Sequence, residues 1–138
     1  YTLSLHDALP ISAGLSLWQV LPLTAPHCDL SPYLGLSAFA LNPRLLPENW
    51  QATVDAAEFN EFLADPPHWL EDYALFMVLR EQHAKACWSQ WPTEYRLRDP
   101  AALQAFSLAH AERLLDFKRE QADMESFHKN KLEIMEKA

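Results

Sequence analysis

Glycine is scarce in this sequence, with only 2 glycines among 138 residues. Phosphate-binding loops and dinucleotide-binding turns are built from closely spaced glycines, in the patterns G-x-x-x-x-G-K and G-x-G-x-x-G. Gly14 and Gly35 match neither pattern. Nucleotide binding of the P-loop or Rossmann type is therefore excluded.

Basic residues and long apolar runs are also lacking. The 11 Lys and Arg are outnumbered by 19 Asp and Glu, so the net charge is −8 and the isoelectric point is near 5.1. A nucleic-acid-binding domain is expected to have a basic face, so we expect no nucleic-acid partner. No apolar run reaches the roughly 18 residues that a membrane-spanning helix needs, so we expect no membrane span.

Cysteine is limited to Cys28 and Cys87, which do not form a disulfide framework. Two free thiols suit a reducing compartment, although a single bridge between them stays open. No secretory signal is visible, because no Lys or Arg precedes an apolar stretch at the N-terminus. A hydrophobic content of 49% is that of a globular protein. These features predict a cytoplasmic globular chain.

The first twelve residues read YTLSLHDALPIS. This string resembles the translation of a sequencing-adapter oligonucleotide, and the alternative is a short apolar strand or an N-terminal arm. We predict that residues 1–12 are adapter-derived and exclude them, with His6 and Asp7, from reasoning about fold and catalysis.

Proline divides the remaining chain, since all ten prolines lie between Pro10 and Pro100. Leu15–Leu23 is apolar and bounded by Gly and Pro, which predicts a buried strand. Thr24–Pro32 is predicted to be a polar loop, and Ser37–Ala40 a helical turn. The apolar spacing predicts the following helices and loop: helices over 53–64 and 69–86, a loop over 88–97, and a long helix from Pro100.

The end of the long helix changes in character. Its first part carries an apolar stripe of Leu103, Phe106, Leu114 and Phe117. Residues 118–138 include ten charged side chains in twenty-one and few apolar ones. This segment is either a solvated or partner-binding extension or a helix that lost its packing context, and we favour the second interpretation.

Three ordered blocks carry a family resemblance. The first is WQVLPL, a loop, SPY, SAFA and NP within 18–43; the second is WLEDYALFMVL at 69–79; the third combines Trp91-Pro92 with the RDP at 98–100. Together they resemble the amylomaltases, the 4-α-glucanotransferases of glycoside hydrolase family 77. The resemblance covers about residues 13–121, and 122–138 is a charged tail of uncertain origin.

The resemblance implies a fold and a chemistry. The family has a (β/α)₈ barrel with helical insertions, so the chain would be an α/β N-terminal piece that looks mainly α when isolated. The family retains anomeric configuration with an Asp nucleophile and a Glu acid/base, which needs neither a metal nor an organic cofactor. Nothing in this chain matches the motifs of those residues. We therefore expect no catalytic residue here and an inactive fragment.

The resemblance also implies a substrate-binding loop. Tyr33 would contact the donor glucose, Ser31 would shape the loop, and Asp29 stands one position earlier than the family's acidic residue. Leu30 and Leu34 depart from the family pattern. An aromatic ring with a hydroxyl suits a sugar, while the alternative for Tyr33 is a structural tyrosine after proline.

Other groups of polar residues do not indicate a metal or catalytic site. His27-Cys28-Asp29 are adjacent and cannot all converge on a metal, and His83 with Cys87, four apart on the predicted helix, lack a third ligand. We expect no metal site. The carboxylates at Asp55, Glu58 and Glu61 fit a solvated face, whereas Glu71 and Asp72 are adjacent and point different ways.

Two functions follow. The first is a fragment of a 4-α-glucanotransferase, with maltooligosaccharides and other α-1,4-glucans as partners and an open oligomeric state. The alternative is a free-standing helical interaction module that uses Leu103–Ala138 as its arm. The SPY…SAFA…NP block favours the first, because an interaction module has no reason to carry it.

Overall fold

A computed structural model of the chain describes residues 23–27, 31, 33–46 and 54–137. The predicted strand Leu15–Leu23 lies outside these residues except for its last position. The contacts divide the chain into two units: Tyr1–Glu48 with Met124–Ala138, and Asn49–Asp123. Each unit is described by itself.

In the first unit, residues 23–27 run antiparallel to residues 34–42. Isolated bridges pair Thr24 with Leu41 and Pro26 with Gly35. The backbone N–H of Ala25 donates to the carbonyl of Ala40 at 2.9 Å. Backbone hydrogen bonds therefore hold the first residues of the predicted polar loop against residues 34–42.

The predicted helical turn at Ser37–Ala40 is wrong. The Oγ of Ser37 accepts hydrogen bonds from the backbone N–H groups of Phe39 and Ala40 at 3.1 and 3.0 Å. The chain therefore bends around a serine side chain, which offers the backbone an alternative to helical bonding. A short 3₁₀ helix, Pro43–Leu45, follows with Asn42 as its N-cap.

The second unit begins with helix α1, Ala56–Ala64. Asp55 and Glu58 form a capping box, in which each side chain accepts from the other residue's backbone N–H. The helix starts at Ala56 rather than near residue 53 because Asp55 has an extended backbone and acts as the N-cap.

Helix α2, Leu70–Gln82, holds the aromatic and aliphatic block of the second family motif. It ends four residues earlier than predicted. Ala84 and Lys85 have φ values of 52° and 61°, in the left-handed region. These conformations turn the chain away from the helix axis. They could not be predicted from the sequence, because Ala and Lys rarely adopt them.

The predicted loop over 88–97 contains two short helices. Trp88–Gln90 is a 3₁₀ helix, and helix α3 covers Thr93–Arg96. Helix α4, Pro100–Ala109, starts as predicted, because the Asp99 side chain accepts from the N–H of Ala102 and proline occupies the first position.

The predicted long helix is broken once, at His110. That residue has φ −122° and ψ 27°, so α4 ends there and helix α5, Ala111–Lys137, begins directly after it. The predicted mainly helical character is confirmed. None of these helices has the length and apolar character together that crossing a bilayer requires.

Two apolar clusters form the core of the second unit. The larger one joins α2, α4 and α5, which confirms the predicted stripe: Phe106, Leu114 and Phe117 are buried and Leu103 packs against them. The smaller one joins Val54 and Phe59 to Ala122.

The charged segment after Phe117 is only partly solvated. Gln121 and Asp123 are 3% and 8% exposed, and Ala122 between them is 3% exposed. A solvated extension, one of the two interpretations given above, does not describe these positions. These three residues belong to the second unit and are buried, although the composition of the segment predicts a surface position.

Candidate functional site

Tyr33 lies at the tip of a turn in the first unit, with its side chain 77% exposed. The N–H of Leu34 donates to the carbonyl of Ser31 at 3.2 Å, and the N–H of Tyr33 lies 3.4 Å from the Ser31 Oγ. The N–H of His27 donates to the carbonyl of Leu34 at 2.8 Å, which joins the two sides of the turn. The turn thus holds the phenol ring in contact with solvent.

Close backbone packing supports this turn at Gly35. A Cβ atom there would lie 3.0 Å from the carbonyl oxygen of Ser37 and 3.1 Å from the Oγ1 of Thr24. A larger residue would push these segments apart. Leu34 and Phe39 are also exposed, at 60% and 55%. Together with Tyr33, they present three large side chains to solvent.

The third residue expected in the loop, Asp29, lies outside the described residues, as do Cys28 and Leu30. The binding roles of Tyr33, Ser31 and Asp29 stay predictions. Within the ranges that the structure describes, no group of three or more His, Cys, Asp or Glu side chains could hold a metal ion.

Four of the five helical carboxylates singled out above serve structural roles, and the fifth, Glu61, is exposed. Asp55 and Glu58 cap α1. Glu71 pairs with Lys118, whereas Asp72 pairs with Arg98 at 2.6 Å. The adjacent acids Glu71 and Asp72 therefore do point to different partners.

His83 and Cys87 do not share a helix face, because α2 ends at Gln82. The His83 ring lies 5.8 Å from the Trp91 ring and 5.7 Å from the Tyr95 ring. The Ser89 hydroxyl donates to the Cys87 Sγ at 3.3 Å, and this hydrogen bond lowers the pKa of the exposed thiol. The prediction that His83 and Cys87 lie four apart on one helix is thus wrong.

Two acidic groups on the second unit have raised pKa values. Burial raises the pKa of Tyr73 to about 12, and the charge of Glu120 adds to this effect. Burial also raises the pKa of the Glu120 carboxyl, against the attraction of Arg113. Tyr73 is 6% exposed and Glu120 is half-buried, so both shifts follow from the packing of the helices.

A cavity of about 270 Å³ lies within the second unit, between α2 and the chain from Trp88 to Arg98. Aromatic side chains line it, and Asp72, Arg96 and Arg98 add charge. Sequence reasoning missed this site because it treated 88–97 as a loop. The available signal was the concentration of Trp, Tyr and Arg in that short stretch.

Comparison with known proteins places the chain in a family. The family model described as 4-alpha-glucanotransferase, glycoside hydrolase family 77, matches residues 44–133, which is more than half of the chain. The chain belongs to this family. The match includes residues 44–66, which lie between the first two motif blocks. It also continues past Gln121, where the resemblance seen in the sequence ended, into the charged part of α5.

Three curated relatives named 4-alpha-glucanotransferase are similar to the chain. That of Thermus thermophilus is 32% identical over 72% of this chain and 28% of the relative. Those of Synechocystis sp. and Aquifex aeolicus are each 30% identical, over 67% and 66% of this chain and 27% of each relative. The chain therefore spans little more than a quarter of the length of the curated relatives it matches. These matches do not favour the free-standing interaction module.

Proposed function

We propose that this chain is the N-terminal part of a cytoplasmic 4-α-glucanotransferase. The whole enzyme would transfer α-1,4-glucan segments between maltooligosaccharides through a covalent glycosyl-enzyme. The family match over residues 44–133 carries this proposal. The free thiol of Cys87 is in keeping with a reducing compartment.

The architecture proposed for the whole enzyme is a (β/α)₈ barrel with helical insertions. Such a barrel takes about 250 residues, and this chain has 138. Residues 13–121 would supply the first strand, the substrate loop and a helical insert, and the family match continues to residue 133 of the tail. The helices of the second unit fit the insert, since they form their own core around Val78 and Phe106.

The catalytic carboxylates would come from the remainder of the enzyme. Retaining transfer needs a nucleophile and an acid/base about 5–5.5 Å apart, facing the same sugar. The carboxylates that Asp55, Glu71 and Asp72 offer are already used for capping and ion pairing. These roles support an inactive chain. The proposed reaction uses two carboxylates and needs neither a metal nor an organic cofactor.

The part of the reaction that this chain would serve is donor-sugar binding at Tyr33. In barrel enzymes the active site lies at the carboxyl ends of the strands, where the loop after strand one belongs. The exposed phenol offers a ring face to the C–H groups of a glucose and a hydroxyl to its oxygen atoms. Ser31 supports the turn through its carbonyl and its Oγ.

A chimera tests this proposal. Residues 13–133 replace the matching segment of the Thermus thermophilus relative, and the purified chimera is incubated with maltotriose. We expect glucose and longer maltooligosaccharides, and none from the 138-residue chain or from the relative without its segment. A chimera that unfolds cooperatively on heating yet transfers no sugar contradicts the proposal.

A further inference from the structure

The cavity in the second unit has apolar walls of fixed shape. The Trp91 ring is 7% exposed, lies 5.5 Å from the Phe76 ring, and donates from its Nε1 to the carbonyl of Ala86 at 3.2 Å. Because that N–H is already bonded, Trp91 offers the cavity apolar ring surface. The Tyr95 ring lies 5.4 Å from the Phe106 ring, edge to face. These contacts hold the walls without the help of a ligand.

Trp88 also lines the cavity, but its side chain is 55% exposed. It stands at the first position of the short 3₁₀ helix Trp88–Gln90. A ligand with an apolar body would remove part of this indole from water, which is favourable in proportion to the apolar area buried. Three leucines in the lining add to this preference: Leu75, Leu79 and Leu103.

The charged side chains that line the cavity are Asp72, Arg96 and Arg98. Asp72 and Arg98 are paired at 2.6 Å, so their charges offset each other. Arg96 donates from its Nη1 to the carbonyl of Ser89 at 3.4 Å, and among the residues that the structure describes no carboxylate pairs with it. Because a guanidinium has five N–H donors, Arg96 keeps most of them available. The cavity therefore has one net positive charge.

Apolar walls with a single available guanidinium favour one class of ligand. A purely apolar molecule would cover the donors of Arg96 without bonding to them. A cation would face the same guanidinium, and a doubly charged anion would also meet the carboxylate of Asp72. A carboxylate matches one guanidinium, because its two oxygens accept two parallel N–H bonds. We propose that this cavity binds a small carboxylate with an aromatic or branched apolar body, with Arg96 as the anion-binding residue and Trp88 against the body.

The size of the cavity limits the ligand. Its volume of about 270 Å³ lies just below the roughly 300–1,000 Å³ of sites for drug-sized molecules. A single ring with a short acidic side chain suits this volume better than a segment of a protein does. The ligand is therefore a free small acid, and its binding does not depend on the proposed function.

The test follows the indole N–H signals of the 138-residue chain by NMR during titration with phenylacetate. The chain has 5 tryptophans, and Trp88→Phe identifies the Trp88 signal by its loss. We expect the Trp88 signal to move and to saturate. Phenylacetamide, which has a similar shape without the charge, should bind about fivefold more weakly. Acetate, which has the charge without the ring, should leave the signal unmoved at the same concentrations.

Arg96→Met tests the anion-binding residue. The substitution keeps an unbranched side chain and removes the charge, and Arg96 is exposed, so the fold should be retained. The variant should bind phenylacetate about fivefold more weakly than the parent chain and lose the preference over phenylacetamide. Arg44→Met is the matched control, because it makes the same change at an exposed arginine that belongs to the first unit and does not line the cavity. It should bind like the parent chain.

Thermal unfolding gives a second readout, because a ligand that binds only the folded chain stabilises it. Phenylacetate should raise the midpoint of the parent chain and of Arg44→Met, and should raise that of Arg96→Met less. Three results would each overturn the proposal: equal affinity for phenylacetate and phenylacetamide, equal affinity of Arg96→Met and the parent chain for phenylacetate, or a Trp88 signal that phenylacetate does not move.

Discussion

The backbone N–H of Val54 donates a 2.7 Å hydrogen bond to the Oδ1 of Asp123, across 69 positions of the chain. Both residues are 8% exposed. Phe59 and Ala122 complete an apolar cluster around this bond, and the Arg119 guanidinium lies 4.1 Å from the centre of the Phe59 ring. The charged part of α5 therefore packs against α1.

Removing the Asp123 carboxylate should destabilise the second unit. Asp123→Ala leaves a buried N–H without its acceptor, which costs about 1–3 kcal/mol of the free energy of unfolding. Asp123→Asn keeps an oxygen in place and should lose less. Urea unfolding followed by circular dichroism measures both variants, and equal midpoints for Asp123→Ala and the parent chain would refute the role of this bond.

Leu70 anchors the first turn of α2 and is completely buried. Leu70→Ala should lower the free energy of unfolding by about 2–5 kcal/mol, because the transfer of the side chain is lost and a cavity is left. Leu108→Ala makes the same change at a position that is 76% exposed, and its effect should stay within about 0.5 kcal/mol. Comparable losses in the two variants would contradict the assignment of the core.

Elements with strong local signals were predictable from the sequence. The start of α4 follows from Asp99 and Pro100, since the acid satisfies a free N–H and proline needs none at the first helical position. The stripe that includes Phe106 and Phe117 follows from helical spacing, and both are buried. The family match likewise follows from ordered motifs, one of which is the apolar block on α2.

Features set by tertiary contacts or unusual backbone were not predictable. The chain has 2 glycines, and among the residues that the structure describes, left-handed positions fall on Ala84, Lys85 and Arg98. These residue types give no such signal. These positions end α2 and shape the approach to α4. The burial of Asp123 depends on a partner 69 positions away, so composition alone marks it as surface. The cavity at Trp88 was missed because residues 88–97 were predicted to be a loop, whereas two short helices there form its walls together with α2.

Tyr73 makes stability depend on pH in the alkaline range. Its pKa is raised by burial from 10.0 to about 12, so the folded chain holds the phenol proton more tightly than the unfolded chain. The contribution of this group is complete below pH 10.0 and is lost as pH rises towards about 12. Tyr73→Phe should flatten this part of the dependence. Urea midpoints measured across this range that fall equally steeply in both chains would contradict the expectation.

Tyr33 should matter for sugar and not for stability. Its side chain is 77% exposed, so Tyr33→Ala should change the free energy of unfolding by no more than about 0.5 kcal/mol. In the chimera described above, the same substitution should lower kcat/KM for maltotriose about tenfold. Tyr33→Phe separates the ring from the hydroxyl. Unchanged kcat/KM in Tyr33→Ala would exclude this residue from donor binding.

The most direct test of the central claim is the transfer activity encoded at the source locus. The gene is sequenced outwards from Leu15 and from Gln121, and the product of the whole reading frame is purified and incubated with maltotriose. We predict a longer frame without the YTLSLHDALPIS string, and a product that makes glucose and longer maltooligosaccharides. A frame that starts with Met just before Leu15 and stops at Ala138, or a longer folded product without transfer, would contradict the account.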